Sequence, residues 1–285
     1  MPVTARFQQG RPQEIDMSVE RMRMEQFDWS DYRTLQFAKR LLEHPGLTSR
    51  IAGIIGKPVE RGFEFLPSNW RERVTSATRA ALTKGMTLAT GTLGASDRQR
   101  SRDALHKFLV TASGAGSGAL GIMALPLELP VSTCLILRSI ADIARSEGHD
   151  IARPETRMWC LEVFALGASD TGEAAVENGY WAVRTAMARA VSEAASYLAE
   201  KGIVEDGAPP LLRLIIQISS RFGIMVSEEV AAKAVPVVGA FGGATINYLF
   251  MDHFQKMARG HFIVRRLEAR YGREMVQEQY RLAVV

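Results

Sequence analysis

The stretch that decides the fold is Phe108 to Arg145, FLVTASGAGSGALGIMALPLELPVSTCLILRSIADIAR. From Phe108 to Leu127 it carries no charge over about twenty residues, roughly the length that an α-helix needs to cross a bilayer core. Pro126 and Pro130 then follow. Each proline removes a backbone donor and disfavours the α region for the residue before it, so we expect a break there. The stretch therefore predicts a hairpin of two helices.

A second uncharged segment, residues 234–251, echoes the first. In it Gly239 and Gly243 have the same i, i+4 spacing as Gly114 and Gly118 in the hairpin. That spacing puts two missing side chains on one helix face, where a neighbouring backbone comes close. The two glycine-rich segments are therefore predicted to pack together through these four helix-packing glycines.

The whole chain is predicted to be an all-α, multi-helix bundle built around these two apolar helical hairpins, each containing glycine and proline. Of its 285 residues, 47% are hydrophobic and 23% are charged, as in an ordinary globular protein. Apolar residues recur at helical spacing, and no alternating strand pattern persists. No linker divides the chain. We therefore expect a flexible or loosely docked arm at residues 1–27 and a single helical domain at residues 28–285.

Capping residues and helix breakers predict where the other helices begin and end. The predicted boundaries are a start at Ser30 or Asp31, an end at Gly148, and a start at Asp170 or Thr171. The last of these begins a long helix that ends near Lys201. A later apolar run, from Leu211 to Ile224, is expected to be broken at residues 219–221 by two serines and an arginine.

Four spaced motifs follow one another in the chain: GALGIMALPLELP, LRSIADIARSEGHD, RFGIMVSEEVAAKAVPVVGAFGGATINYLF and HFQKMARGHF. Together they resemble the EcsC family of bacterial proteins over roughly residues 40–272. The resemblance implies an accessory role beside ABC transporter subunits, because the founding member is encoded beside the subunits of a transporter that affects secretion. It implies no set of catalytic residues. The family's pattern falls here on Glu128, Arg138, Pro236, Gly239 and Asn247.

Four polar residues in apolar surroundings form a candidate functional or structural cluster: Glu128, Arg138, Asp142 and Asn247. Glu128 either accepts backbone donors or pairs with an arginine, or it accepts a proton or binds a ligand. Arg138 and Asp142 are helix neighbours that form an ion-pair ladder with Arg145, or else bind an anion or a lipid headgroup. Asn247 is expected to form an interhelical hydrogen bond.

Motifs of common catalytic and metal sites do not occur in the sequence. His253 and His261 are eight residues apart, too far for one metal ion on a straight helix, and there is no HExxH or paired CxxC. The glycine run matches neither the phosphate-binding loop nor the Gly-x-Ser-x-Gly elbow. We therefore expect no catalytic residues, no metal and no cofactor, and we favour a non-enzymatic function.

Charge and cysteine content exclude two further classes. The net charge of +4 comes without a basic stripe interleaved with aromatic residues, so nucleic acid is not an expected partner. Cys134 and Cys160 both lie in apolar helical patterns, which argues against a disulfide framework and favours a reducing compartment.

Residues 252–270 show a basic amphipathic pattern, in which large apolar side chains alternate at helical spacing with cations. The candidate membrane-surface residues are Arg259, Arg265, Arg266 and Arg270. Such a helix either lies in a membrane interface with its arginines on anionic headgroups, or packs its apolar face into the core and leaves a solvated basic face.

The leading hypothesis is a non-enzymatic, membrane-associated helical protein that binds anionic membrane lipid and assists ABC transporter subunits. We expect it in the cytoplasm, peripheral at the inner face of the membrane, because the N-terminal residues lack the apolar core of a signal peptide. The alternative is a soluble helical bundle whose core pocket binds a lipid or another apolar ligand. A third hypothesis is a hydrolase that uses Glu128.

Overall fold

The computed structural model describes residues 27–43, 47, 50–51, 70–91, 101–120, 125–168, 176–201, 209–234 and 239–284. These residues form nine helices and no strand, which confirms the predicted all-α bundle. The helices are α1 (Trp29–Leu42), α2 (Trp70–Gly91), α3 (Asp103–Leu120), α4 (Leu125–Ser146), α5 (Pro154–Gly167), α6 (Val176–Lys201), α7 (Pro209–Ala234), α8 (Gly239–Tyr271) and α9 (Arg273–Leu282).

The decisive stretch of sequence forms α3 and α4, which contact each other. The break comes just before the prolines, since α3 ends at Leu120 and α4 begins at Leu125. Pro126 therefore lies in the first turn of α4. The backbone N–H groups of a first turn have no acceptor within their own helix, so a proline there removes no helical hydrogen bond. Pro130 lies inside α4, so it does not end a helix as expected. In the same turn the Ser132 hydroxyl donates to the carbonyl of residue 129 at 3.2 Å.

The longest helix, α8, lies at the centre of the described bundle. It contacts α1, α3, α4, α5, α7 and α9. Phe254 is fully buried, with its ring centroid 5.1 Å from that of Phe164 on α5 and 5.6 Å from that of Phe222 on α7. Burying an aromatic side chain of this size contributes about 1.5–3 kcal/mol, so this aromatic core holds α8 to its neighbours.

Capping residues mark the start of α1 and the end of α4. Asp28 is the N-cap of α1, and its carboxylate accepts a hydrogen bond from the Ser30 N–H at 2.8 Å. The cap therefore lies two residues before the predicted Ser30. Gly148 has a φ of 91° and follows α4, as predicted. Its N–H donates to the Arg145 carbonyl, and the N–H of residue 149 donates to that of residue 144, which is the Schellman pattern.

α7 runs without interruption through residues 219–221, so the break predicted there is wrong. The Ser220 hydroxyl donates to the Gln217 carbonyl at 2.8 Å, and the Ser227 hydroxyl donates to the Gly223 carbonyl at 2.6 Å. Because these hydroxyls bond to carbonyls of their own helix, the serines do not have to leave it.

Several predictions concern residues outside the described part of the chain. Asp170 and Thr171 lie there, and the long helix that follows them is described from Val176 onward. Residues 1–26 of the predicted arm also lie there. Phe27 is buried, and its ring centroid is 4.3 Å from that of Tyr271.

A helix that crosses a bilayer must be both long and apolar. None of them combines the length and the apolar character that crossing a membrane requires.

Candidate functional site

Two residues of the predicted polar cluster meet where α3, α4 and α8 come together. The Asn247 amide donates to the Glu128 carboxylate at 2.9 Å and to the Val110 carbonyl at 3.1 Å. Both side chains are buried. The amide therefore links all three helices, as expected for a polar group that is buried in an apolar interface.

The same junction contains a close approach between two predicted packing glycines. A Cβ atom added to Gly114 would lie 2.6 Å from the Gly243 carbonyl oxygen and would also collide with the Asn247 side chain. Only a residue without a side chain fits this position. The structure thus brings the two glycine-rich segments together at Gly114 and Gly243, whereas the surroundings of Gly118 and Gly239 lie outside the described residues.

Asp142 joins α4 to the segment that leads into α3. Its carboxylate accepts hydrogen bonds from the Arg102 backbone N–H at 2.7 Å and from the Arg145 guanidinium at 2.6 Å, and His106 Nε2 lies 3.6 Å away. Burial alone would raise the pKa of Asp142, but these contacts outweigh it and lower the pKa to about 2. Arg138 is half-buried on the same helix. Asp142 is therefore charged and holds the base of α3 in place.

The four candidate membrane-surface arginines each contact an acidic residue. They pair as Arg259 with Asp103 and Glu147, Arg265 with Glu162, Arg266 with Glu147, and Arg270 with Asp31, at 2.7–3.0 Å. The apolar side chains between them, such as Phe262 and Leu267, are buried in the bundle. The apolar side of this segment is therefore packed into the core, and its arginines are held by acidic partners. Arg266 and Arg270 remain 43% and 64% exposed.

A buried ionic cluster on α5, α6 and α8 was not predicted from the sequence. Its members are Glu162, Tyr180, Arg184, His261, Arg265 and Glu268. Arg184 donates to both carboxylate oxygens of Glu268, at 2.8 and 2.9 Å. The Tyr180 hydroxyl is 3.1 Å from His261 Nδ1, and the Arg265 guanidinium lies over the Trp159 ring, 4.5 Å from its centroid. The cluster fixes three helices relative to one another.

Burial sets the protonation states in this cluster. It raises the pKa of the Glu162 carboxyl, against the lowering effect of Arg265 and Arg184. It also lowers the pKa of His261 well below the usual value, and the same two arginines act in the same direction. His261 is therefore neutral at pH 7. The sequence signal for this cluster was Glu162, a lone acid in the apolar run MWCLEVFALG.

The outer face of α3 is apolar and exposed. Leu105, Phe108 and Leu109 have exposed fractions of 46%, 68% and 40%, and they lie at helical spacing on one side of α3. The opposite side carries His106 and Val110, which are buried. We call Leu105, Phe108 and Leu109 the α3 stripe.

A cationic group lies between α3 and α8, on the side of α3 away from the α3 stripe. Three cations surround the Asp252 carboxylate: Lys107 Nζ at 2.8 Å, Arg50 Nη2 at 2.9 Å and Lys256 Nζ at 3.0 Å. Burial alone would raise the pKa of Asp252, but the lysine hydrogen bonds hold it below its usual value, so the carboxylate is ionised. One negative charge therefore meets three positive charges, and the group keeps an excess of positive charge where α3 meets α8.

These features define a class: an all-helical protein whose central helix is held by buried polar and ionic side chains. The chain belongs to the EcsC protein family, since the family model matches residues 30–267. This confirms the resemblance inferred from the four motifs. Comparison with curated proteins and with solved structures finds no match.

Proposed function

We propose that this EcsC family protein is a non-enzymatic helical protein that attaches to the inner face of an anionic membrane through the α3 stripe. The observation that carries the proposal is the exposure of three large apolar side chains, Leu105, Phe108 and Leu109, on one side of a helix. An apolar surface of this kind is typical of an interaction site. A membrane interface buries such a face without requiring a helix that spans the bilayer.

Charge near the stripe supports anionic lipid as the partner. Lys107 lies about 100° around α3 from Phe108, so the cationic group around Asp252 is within roughly one helix diameter of the α3 stripe but not on the same face. A basic side chain near a negatively charged leaflet contributes about 1 kcal/mol of attraction, which salt screens. Apolar insertion at the α3 stripe would therefore be supported by longer-range attraction from the cationic group between α3 and α8.

The role beside ABC transporter subunits, which the family resemblance implies, is part of the same proposal. Attachment at the inner face of the membrane would hold the protein next to the cytoplasmic parts of a transporter. Arg266 and Arg270, which remain partly exposed, would then add to the attraction without being the main contact.

Flotation with lipid vesicles tests the proposal. Wild-type protein should float with vesicles of phosphatidylcholine and phosphatidylglycerol at low salt, and should be released by high salt. Phe108→Ser should weaken this binding about tenfold or more, because it removes an apolar side chain worth about 1.5–3 kcal/mol when buried. The matched control is Ile216→Ser on α7, where the side chain is also exposed, at 43%, but lies on a different helix.

A second variant separates the α3 stripe from the C-terminal arginines. Arg266→Gln combined with Arg270→Gln should weaken vesicle binding less than Phe108→Ser does. The proposal is wrong if wild-type protein does not float with anionic vesicles, or if Ile216→Ser loses as much binding as Phe108→Ser. Lipid that co-purifies with a protein that ignores vesicles would favour the alternative of a core pocket.

A further inference from the structure

A pocket of about 300 Å³ opens between α5, α6, α8 and α9, beside the buried ionic cluster. Three arginines line it: Arg184 from α6, Arg265 from α8 and Arg273 from the start of α9. The volume is at the small end of the range for ligand sites, so the pocket suits a small molecule or a single headgroup.

Arg184 is the most deeply buried of the three arginines at this pocket. Its side chain is only 3% exposed, and its two Nη atoms are occupied by Glu268. Its Nε is buried and has no hydrogen-bond partner among the described residues. A buried N–H of a charged group is strongly unfavourable without an acceptor. Nε itself has almost no accessible surface, so a ligand in the pocket would meet the positive charge of the Arg184 guanidinium rather than this N–H.

Other donors converge on the same space. Ser192 and Ser196 are one turn apart on α6 and both line the pocket. Arg273 is exposed and forms no ion pair within the described part of the chain. The acid that lines the pocket is Glu155, whose carboxylate lies 3.6 Å from the Arg153 guanidinium.

The other residues that line the pocket indicate which chemical group would carry the anionic oxygens of a ligand. Val191 and Ala195 form an apolar wall on α6, beside the two serine hydroxyls. Trp159 closes the pocket from α5 and lies under the Arg265 guanidinium. The site therefore combines donors for an anion with a small apolar surface for a short carbon chain.

We propose that this pocket binds the phosphate group of a phosphorylated small molecule or of a lipid headgroup. Arginine guanidinium groups match the several oxygens of a phosphate, and hydroxyl donors add to the contact. Glu162 accepts a hydrogen bond from Arg265 at 2.8 Å, which holds the Arg265 guanidinium in place over Trp159 at the pocket. The proposal does not depend on the α3 stripe, which is on a different helix.

Isothermal titration calorimetry with two probes distinguishes the sources of the phosphate. Glycerol 3-phosphate represents a soluble metabolite, and monomeric dihexanoyl phosphatidic acid represents a lipid headgroup without a membrane. Binding of either probe to wild-type protein supports the site, and the tighter one identifies the source. Acetate should bind much more weakly, because a carboxylate offers fewer oxygens to the arginines and serines.

Two variants test the location of the site. Arg273→Gln should weaken binding about tenfold, since it removes a charge-assisted hydrogen bond, and Ser192→Glu should abolish binding by placing a negative charge in the pocket. Both residues are exposed, so both variants should fold. The matched control is Arg189→Gln, on α6 but fully outside the pocket, with a side chain that is 90% exposed. It should bind like the wild type.

The proposal is overturned if neither probe binds wild-type protein at millimolar concentration, or if acetate binds as tightly as the phosphates. It is also overturned if Arg273→Gln and Ser192→Glu bind normally, or if Arg189→Gln loses as much affinity as they do. Phe108→Ser should bind glycerol 3-phosphate like the wild type. The experiments can therefore contradict the phosphate-binding proposal and the membrane proposal independently of each other.

Discussion

α3 and the C-terminal half of α8 have similar sequence patterns but different surroundings. In both segments large apolar residues recur at helical spacing, beside one lysine in α3 and several arginines in α8. In the described structure α3 makes extensive contacts with α4 and α8, whereas α8 contacts six helices. As a result Phe108 is 68% exposed and Phe262 is fully buried. An amphipathic pattern thus predicts an apolar face but not what covers it.

The cations of the two segments differ in the same way. Arg259 and Arg265 of α8 are bound by acidic residues from α3 and α5. Lys107 of α3 shares one carboxylate with two other cations, so part of its charge is not compensated. The segment with more arginines is therefore the less suitable membrane surface of the two, because its charges are used to hold helices together.

The largest expected effect is the loss of stability when Phe262 is truncated, compared with the same truncation of Phe108. Phe262→Ala should lower the free energy of unfolding by about 3–5 kcal/mol, because it leaves a cavity in the core. Phe108→Ala should change it by less than about 0.5 kcal/mol, because the side chain is already in water. Urea denaturation of both variants measures the difference. Equal losses would show that α3 is covered in solution.

A second test concerns the junction of α3 with the N-terminal half of α8. Gly114→Ala should lower the free energy of unfolding by about 1–3 kcal/mol, because the added Cβ collides with the Gly243 carbonyl and with Asn247. The control is Gly223→Ala on α7, where no atom of the described residues lies within 4 Å of the added Cβ. This variant should be neutral or up to about 1 kcal/mol more stable, since alanine favours a helix interior. A tolerated Gly114→Ala would rule out the close approach.

The smallest expected effect is the pH dependence of the contact that holds the base of α3. The pKa of Asp142 is lowered from 3.8 to about 2 in the folded protein. Its carboxylate therefore stabilises the fold above about pH 4 and loses that effect as the pH falls towards 2. Asp142→Asn should cost about 1–2 kcal/mol at pH 7 and almost nothing at pH 2. Stability curves of variant and wild type that stay parallel from pH 7 to pH 2 would contradict this role.

The predictions that the structure confirmed depend on residues that are close together in the sequence. The helical spacing of apolar residues gave the all-α fold, and Gly148 gave the end of α4 because only the left-handed region suits that turn. The predictions that were wrong depend on which groups each residue contacts in the folded protein. Pro130 and the serines at 219–220 lie inside helices; the Ser220 hydroxyl bonds to the Gln217 carbonyl, and Ser219 is buried against the rest of the bundle.

The candidate sites divide in the same way. The sequence pointed to Gly114, Gly243, Glu128 and Asn247, because a glycine or a polar group in an apolar helix must have a specific reason to be there. It did not point to the ionic cluster of Glu162 and Arg184, because its members are far apart in the chain and Glu162 alone stands out, as an acid in an apolar run. Only their burial in one place makes them a cluster.

The sequence by itself determined that this protein is helical, that it belongs to the EcsC family, and which helix segments are apolar on one face. The tertiary structure decided which of those faces is buried, which arginines are neutralised, and where a pocket is left between helices. The physical reason is that helix formation depends on residues within one or two turns. Burial and charge compensation depend on side chains brought together from across the chain, such as Asp31 and Arg270.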